Sequence, residues 1–267
     1  METGSFMIDG QTLEKQLGEL LDVFYTRRQG KLAGLKLIPI IKRKNPYLYR
    51  ATGVATGSEI ILQFMAAFIS SSDETIFGNE FFEPLAKWAA AEAAKTRANT
   101  SVTVGGAAGV DIAIEDAVCY IALAVKSGTN VFNTQSRSQQ ETEFQALRSR
   151  LSKIKKQFRS VVGYGYGKKA QRVSANRNYE EVAGQEFWEL VTGEPDFYLR
   201  IMKLMEEKPK QHALRFKAEL ARTENRLVRE FLLLFSNPDG SINWEKLTAF
   251  NSGAAPLKLE KIPGNLD

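Results

Sequence analysis

The chain has 267 residues, 43% of them hydrophobic and 25% charged, which is the balance of a folded globular protein long enough for one large domain or two small ones. Its single cysteine, Cys119, excludes an internal disulfide and a CxxC zinc site, so a reducing cytoplasm is the expected setting. The first ten residues lack a secretory pattern and no apolar run approaches the roughly 18 residues of a membrane span, so no membrane association is expected. Net charge is only +5, but it is clustered. Residues 27–50 hold eight basic side chains, Lys44 and Arg50 among them, and no acid; residues 137–177 hold eleven against Glu141 and Glu143. Such clustering suits a polyanion, whose condensed counterions are released when its phosphates are neutralised.

In chain order, Leu13, Leu17, Leu20, Leu21 and Phe24 recur at helical spacing and predict an opening helix. Asn45-Pro46 predicts a turn or extended segment, with Tyr47-Leu48-Tyr49-Arg50 after it. A second helix is expected over about 58–68, a polar break at Ser70-Ser71-Ser72-Asp73, and a third helix over about 79–95. Residues 102–104, 110–114 and 118–125 read as strands, 139–158 as a long basic helix, and 161–164 as the next strand. A loop rich in Gly, Lys, Arg, Ser and Asn follows over 165–178. Helices are expected over 185–190, 196–206 and 212–235, then a turn at Asn237-Pro238-Asp239-Gly240 and a short helix capped by Ser241. Helices on either side of a block of strands point to an α/β fold whose sheet is covered on both faces.

The chemistry concentrates in Gly109–Gly128, a hairpin of two apolar strands. Side chains alternate along a strand, so Lys126 shares a face with Ala124, and Asp111 shares one with Ala113, away from Val110, Ile112 and Ile114. The turn at 115–117 brings Asp111 back towards the end that carries Lys126. Phosphodiester hydrolysis needs an activated water and neutralisation of charge on the phosphorane oxygens, which a divalent ion supplies. Mg²⁺ uses oxygen ligands and only one or two protein carboxylates. Asp111 is then the ligand candidate and Lys126 its electrostatic partner.

The hairpin resembles the PD-(D/E)XK nuclease superfamily, which places an acid on one strand and acid-x-Lys on the next; Asp111 and Ala124-Val125-Lys126 match the first and last of these positions. More narrowly, the chain resembles type II restriction endonucleases through Lys44-Asn45-Pro46-Tyr47, the block from Ser71 to Gly78, and Lys126-Ser127-Gly128. The blocks 183–188 and 238–244 resemble enzymes that cut interrupted GG…CC palindromes. The resemblance implies a three-layer α/β/α core with a central mixed sheet and helical N- and C-terminal extensions. One endonuclease domain is expected over 1–267, its core at about 55–190. It also implies an Mg²⁺-dependent enzyme acting on double-stranded DNA, and Phe77-Gly78-Asn79-Glu80-Phe81-Phe82-Glu83 resembles the family's helix-borne acid pattern. Glu83, or else Glu74, would then join Asp111 at the metal. Ala124 departs from the family, because a methyl group binds no metal. Either another acid substitutes or the chain is a DNA-binding form uncoupled from cleavage; a repair or junction-resolving nuclease of the same superfamily is the other alternative.

Four further expectations concern contacts. The 165–177 loop, with Lys168, Lys169, Gln171, Arg172, Asn176 and Arg177, suits DNA contact, as do Asn133 and Gln135 beside Lys126. Gly163-x-Gly165-x-Gly167 does not fit a dinucleotide fingerprint, so no nucleotide cofactor is expected. His212, the only histidine, is expected at the surface of a polar helix start. A palindromic site implies a homodimer, because the two-fold symmetry of protein and site must match.

Overall fold

The computed structural model describes residues 8–128, 134–169 and 177–253. The chain divides into two compact units, one of Met1–Arg27 with Glu74–His212, the other of Arg28–Asp73 with Ala213–Asp267.

The first unit holds the sheet. Strands β1 (Ser101–Ala107), β2 (Val110–Glu115), β3 (Cys119–Lys126), β4 (Gln157–Tyr164) and β5 (Glu180–Ala183) lie in the order β1-β2-β3-β4-β5. The β1/β2 and β2/β3 pairs are antiparallel, the β3/β4 and β4/β5 pairs parallel. Helices α5 (Glu83–Ala94), α7 (Gln185–Thr192) and α8 (Phe197–Leu204), with the start of α1 (Gly10–Ala33), pack on one face around Leu85, Ile112, Leu123, Val161 and Phe187. Helix α6 (Thr134–Arg150) covers the other face with Phe144 and Leu147 against Ala122, Ala124 and Val162. This is the expected mixed sheet between helical layers.

Turn chemistry sets the strand pairing. Ala107 pairs with Val110, so Ala108 and Gly109 form a two-residue loop, with Gly109 at φ 69°. At the next turn the Asp116 carboxylate accepts the N–H groups of Val118 and Cys119, each at 2.7 Å, which closes the β2/β3 hairpin. Alternation holds as expected for Ile112, Ile114, Leu123 and Val125, but Val110 packs with the α6 side. It lies beyond the register shift between Val104 and Ala107, where the alternation of the ladder no longer applies.

The second unit is helical. Helices α2 (Leu37–Ile41), α3 (Pro46–Ala51) and α10 (Trp244–Asn251) join the start of α4 (Gly57–Phe77) and most of α9 (Glu207–Phe235) around Ile60, Phe64, Leu227, Phe231 and Leu247. Asn45-Pro46 starts a helix rather than an extended segment. Asn45 accepts the N–H groups of Tyr47 and Leu48, and Pro46 occupies the first turn, where its missing N–H costs nothing. The last helix is capped by Asn243, which accepts the Lys246 N–H, while Ser241 hydrogen-bonds Asp239 in the preceding turn.

Other expectations are revised. The polar run at 70–73 does not break a helix: Asp73 ion-pairs with Arg28 at 2.7 Å, and α4 runs on to Phe77. A π turn, Gly78–Phe82, then leads directly into α5. Pro84 lacks the N–H that would bond Glu80, which favours a wider turn here. Gly57–Ala94 is therefore one helical run, long and apolar enough by composition to cross a membrane, although no such run was expected. It carries Glu59, Asp73, Glu74, Glu80 and Glu83; Ile60, Ile61, Phe64, Phe81 and Leu85 enter the two cores already described, while Leu62 stays exposed. Helix α6 ends at Arg150, and β4 begins seven residues later because Gln157 pairs with Cys119. Strand β5 falls at the end of the expected loop region. His212 is buried at 7% exposure and stacks on Tyr25 with ring centres 3.9 Å apart, so it is a core residue rather than a surface one.

Candidate functional site

Asp111 and Lys126 meet in one cleft of about 360 Å³ at the end of the β2/β3 hairpin. The paired register ends at Ile112 and Leu123, and beyond it the Val125 N–H donates to Asp111 Oδ2 at 2.7 Å. That bond fixes the carboxylate. The carbonyl of Lys126 is held in turn by the Gly165 N–H at 2.9 Å, so the strand end that carries the lysine is anchored to the end of β4. Trp188 closes the arrangement by donating its indole N–H to the Gly165 carbonyl at 2.9 Å.

The acid on the adjoining helix is close by. Glu83, in the first turn of α5, ion-pairs with Lys87, and Lys87 Nζ also lies 3.8 Å from Asp111 Oδ1. Burial raises the pKa of Asp111; the Val125 N–H opposes this, Glu83 adds to it, and Lys126 and Lys87 lower it. The net direction is up, so the site holds its negative charge at a cost that a bound cation would relieve. Ser127 follows Lys126 immediately, and a side chain at Gly78 would meet its Cβ at 3.0 Å. The glycine in the π turn therefore lets that turn approach the strand end. Glu74 accepts the Tyr166 hydroxyl at 3.2 Å and is not among the residues lining the cleft.

Ala124 is wholly buried against the α6 side, in the cluster that contains Phe144, Val162 and Tyr164. Among the described residues no group of three or more His, Cys, Asp or Glu side chains is disposed to hold a metal. The donors present are separate carboxylates around a cleft. They fit a hard ion that keeps several waters, such as Mg²⁺, and not a closed thiolate or imidazole cage.

The other expected contact residues fall into distinct settings. Lys168 is exposed. Lys169 and Arg177 both ion-pair with the buried carboxylate of Glu181, which also accepts the Tyr164 hydroxyl. Burial pushes the Glu181 pKa up, but the hydrogen bonds from Tyr164 and Lys169 and the charges of Lys169 and Arg177 outweigh it, leaving it lowered. Gln135 is exposed in the first turn of α6. Asn133 and Arg172 lie outside the described residues. Lys44 and Arg50 belong to the second unit, with Arg50 exposed in the last turn of α3. Lys156 and Arg159 bind Glu115 and Glu180 at the end of the sheet where β3 and β4 begin, opposite the end that carries Lys126.

Sequence reasoning missed Lys87 and the wall formed by α6. Lys87 stands one helical turn after Glu83, a spacing that pairs side chains. On α6, Ser136, Gln139, Gln140 and Glu143 line the cleft at helical spacing, a polar stripe readable in the sequence once the helix is known.

The model of the family described as "Type II restriction endonuclease EcoO109I" matches residues 11–213 of the chain. The chain belongs to this family. Membership carries the function class of a type II restriction endonuclease, a hydrolase acting on DNA. No curated protein matches the chain.

Proposed function

We propose that this family member is an Mg²⁺-dependent type II restriction endonuclease of the PD-(D/E)XK superfamily, acting as a homodimer on a palindromic or interrupted-palindromic duplex site. A site of the GG…CC type is the form the sequence resemblance favours. The observation that carries the reading is the convergence of Asp111, Lys126 and the Glu83–Lys87 pair at one end of the β2/β3 hairpin. Asp111, oriented by the Val125 N–H, is the strand-borne ligand, and Glu83 adds negative charge from the α5 side through its pair with Lys87. Mg²⁺, when bound, supplies Lewis acidity at the scissile phosphate. Lys126 faces the same cleft and can orient the attacking water or stabilise charge on the phosphorane oxygens. Attack of water forms the new P–O bond as the phosphodiester P–O bond breaks; the attacking water releases its proton to solvent, and the leaving oxygen takes one up from solvent. The test is incubation of a sequenced plasmid with the protein and Mg²⁺, followed by mapping of the ends. Discrete ends at one symmetric sequence support the proposal; intact plasmid or scattered ends oppose it.

The buried methyl of Ala124 favours a second reading, a chain that binds its site but cuts slowly or not at all. On this second reading Ala124→Glu is expected to raise the cleavage rate by about 10²-fold or more, the scale of one electrostatic catalytic group. An unchanged rate in that variant would mean that the acid is supplied from elsewhere.

A further inference from the structure

The cleft that holds Asp111 and Lys126 has a second acidic wall. Gln139, Gln140 and Glu143 of α6 face Gly109, Asp111 and Lys126 across it. Gln140, only 4% exposed, donates its side-chain amide to the Gly109 carbonyl at 2.6 Å and ties the helix to the hairpin. A side chain at Gly109 would overlap the Glu143 carboxylate, so this carboxylate rests against the main chain two residues before Asp111. Gly109 is thus required twice, for its φ of 69° and for the approach of α6.

Glu143 is an unusual group to find there. A nuclease must bring phosphates to this cleft, and a carboxylate facing them is repulsive unless a cation lies between. Its partner among the described residues is the neutral amide of Gln139, at 2.9 Å, and it makes no ion pair there. Glu83, by contrast, is committed to Lys87 and is not among the residues lining the cleft. Phe144, the next residue on α6, packs in the same cluster as Ala124. The helix that covers the methyl of Ala124 therefore also presents a carboxylate to the same cleft.

We infer that Glu143 is the second direct carboxylate of the cleft, binding a divalent cation together with Asp111 in place of the acid that β3 lacks at Ala124. The inference rests on the metal-dependent reading above. Glu83 then acts through Lys87, on the charge around Asp111, and is a positioning residue. Two carboxylates suffice for an ion that keeps its remaining ligands as water.

The experiment titrates Mn²⁺ into the full chain without DNA and follows heat by calorimetry, for the parent, Glu143→Gln, Asp111→Asn, Glu83→Gln and the double variant Ala124→Glu/Glu143→Gln. Glutamine at 143 can still accept the Gln139 bond, so the helix face is preserved. Glu143→Gln and Asp111→Asn are each expected to weaken Mn²⁺ binding at least about 10-fold, Glu83→Gln to change it less than about 2-fold, and the double variant to regain binding. Should Glu143→Gln fail to fold, Glu143→Asp keeps the charge but withdraws it by one methylene and is also expected to weaken binding. Parent-like affinity in Glu143→Gln or Glu143→Asp, with binding lost in Asp111→Asn, overturns the assignment of Glu143 and leaves the metal site standing. A loss confined to Glu83→Gln and Asp111→Asn overturns it in favour of Glu83. If the parent binds no Mn²⁺, or Asp111→Asn binds as the parent does, the metal-dependent reading itself fails and takes this inference with it.

Discussion

At the scale of single residues, Asp111 stores a conflict between stability and function. Burial is the largest influence on it and its pKa is raised in the fold, so the native state binds this proton more tightly than the unfolded chain does. Stability therefore falls as pH rises from the ordinary carboxylate value of 3.8 through the raised one, and the ionised group is a burden at neutral pH. Asparagine keeps the shape and an acceptor for the Val125 N–H. Metal-free Asp111→Asn is thus expected to melt above the parent at pH 7, with the gain shrinking towards acid; a lower melting point at neutral pH contradicts this account. Mg²⁺ at a hundred times the parent's dissociation constant should stabilise the parent by about 2.7 kcal/mol and Asp111→Asn by clearly less. The meeting of Asp111 and Lys126 in one cleft was legible in the sequence because the short turn at 115–117 folds the two apolar strands back on each other. Glu143 was not, since its role depends on Gly109 and α6 meeting in space, and neither residue advertises the other. His212 misled for the opposite reason: its charged neighbours suggest a surface, while Tyr25, far away in sequence, covers it.

At the scale of elements, two adjacent lysines separate. Lys168 is exposed, whereas Lys169 joins Arg177 on the buried Glu181, one at each sequence end of residues 170–176. Lys168→Ala is expected to weaken binding to cognate and scrambled duplexes alike and to reduce the salt slope by about one. Lys169→Ala should instead lower stability, by about 1–3 kcal/mol, because it removes a hydrogen-bonded cation from a buried carboxylate. Its effect should fade below the ordinary Glu range, since a lowered pKa contributes stability that is lost as that proton returns. Denaturant melts and salt-dependent binding on both variants decide the matter; equal stability loss in the two would show that Lys168 is also structural. Strand β5 escaped sequence reading for the same reason. Glu180 and Glu181 look like loop residues until Arg159, Lys169 and Arg177 neutralise them. The α2–α3 region and the helix through 70–73 were missed because Asn45 as a cap and Arg28 as a partner outweigh local propensity.

At the scale of the molecule, each compact unit has its own apolar clusters, and the boundaries at 27/28, 73/74 and 212/213 fall inside α1, α4 and α9. The three-layer arrangement of the first unit was legible because strands and helices alternate in blocks; the division into units was not, since no linker composition marks it. The sheet itself is uneven. β3 and β4 are paired on both sides, while β1 is the outer strand and largely exposed along its length. Amide hydrogen exchange should therefore fall steeply across the sheet, fastest in β1 and slowest in the middle of β3 and β4. Asp111 would sit on the slope and Lys126, paired with β4 alone, lower on it, so that opening of the outer strand loosens the acid before it loosens the lysine. Mass-resolved exchange on peptides covering 101–107 and 119–126 measures the gradient. Protection of β1 equal to that of β3 would mean that its outer edge, unpaired among the described residues, is covered in solution.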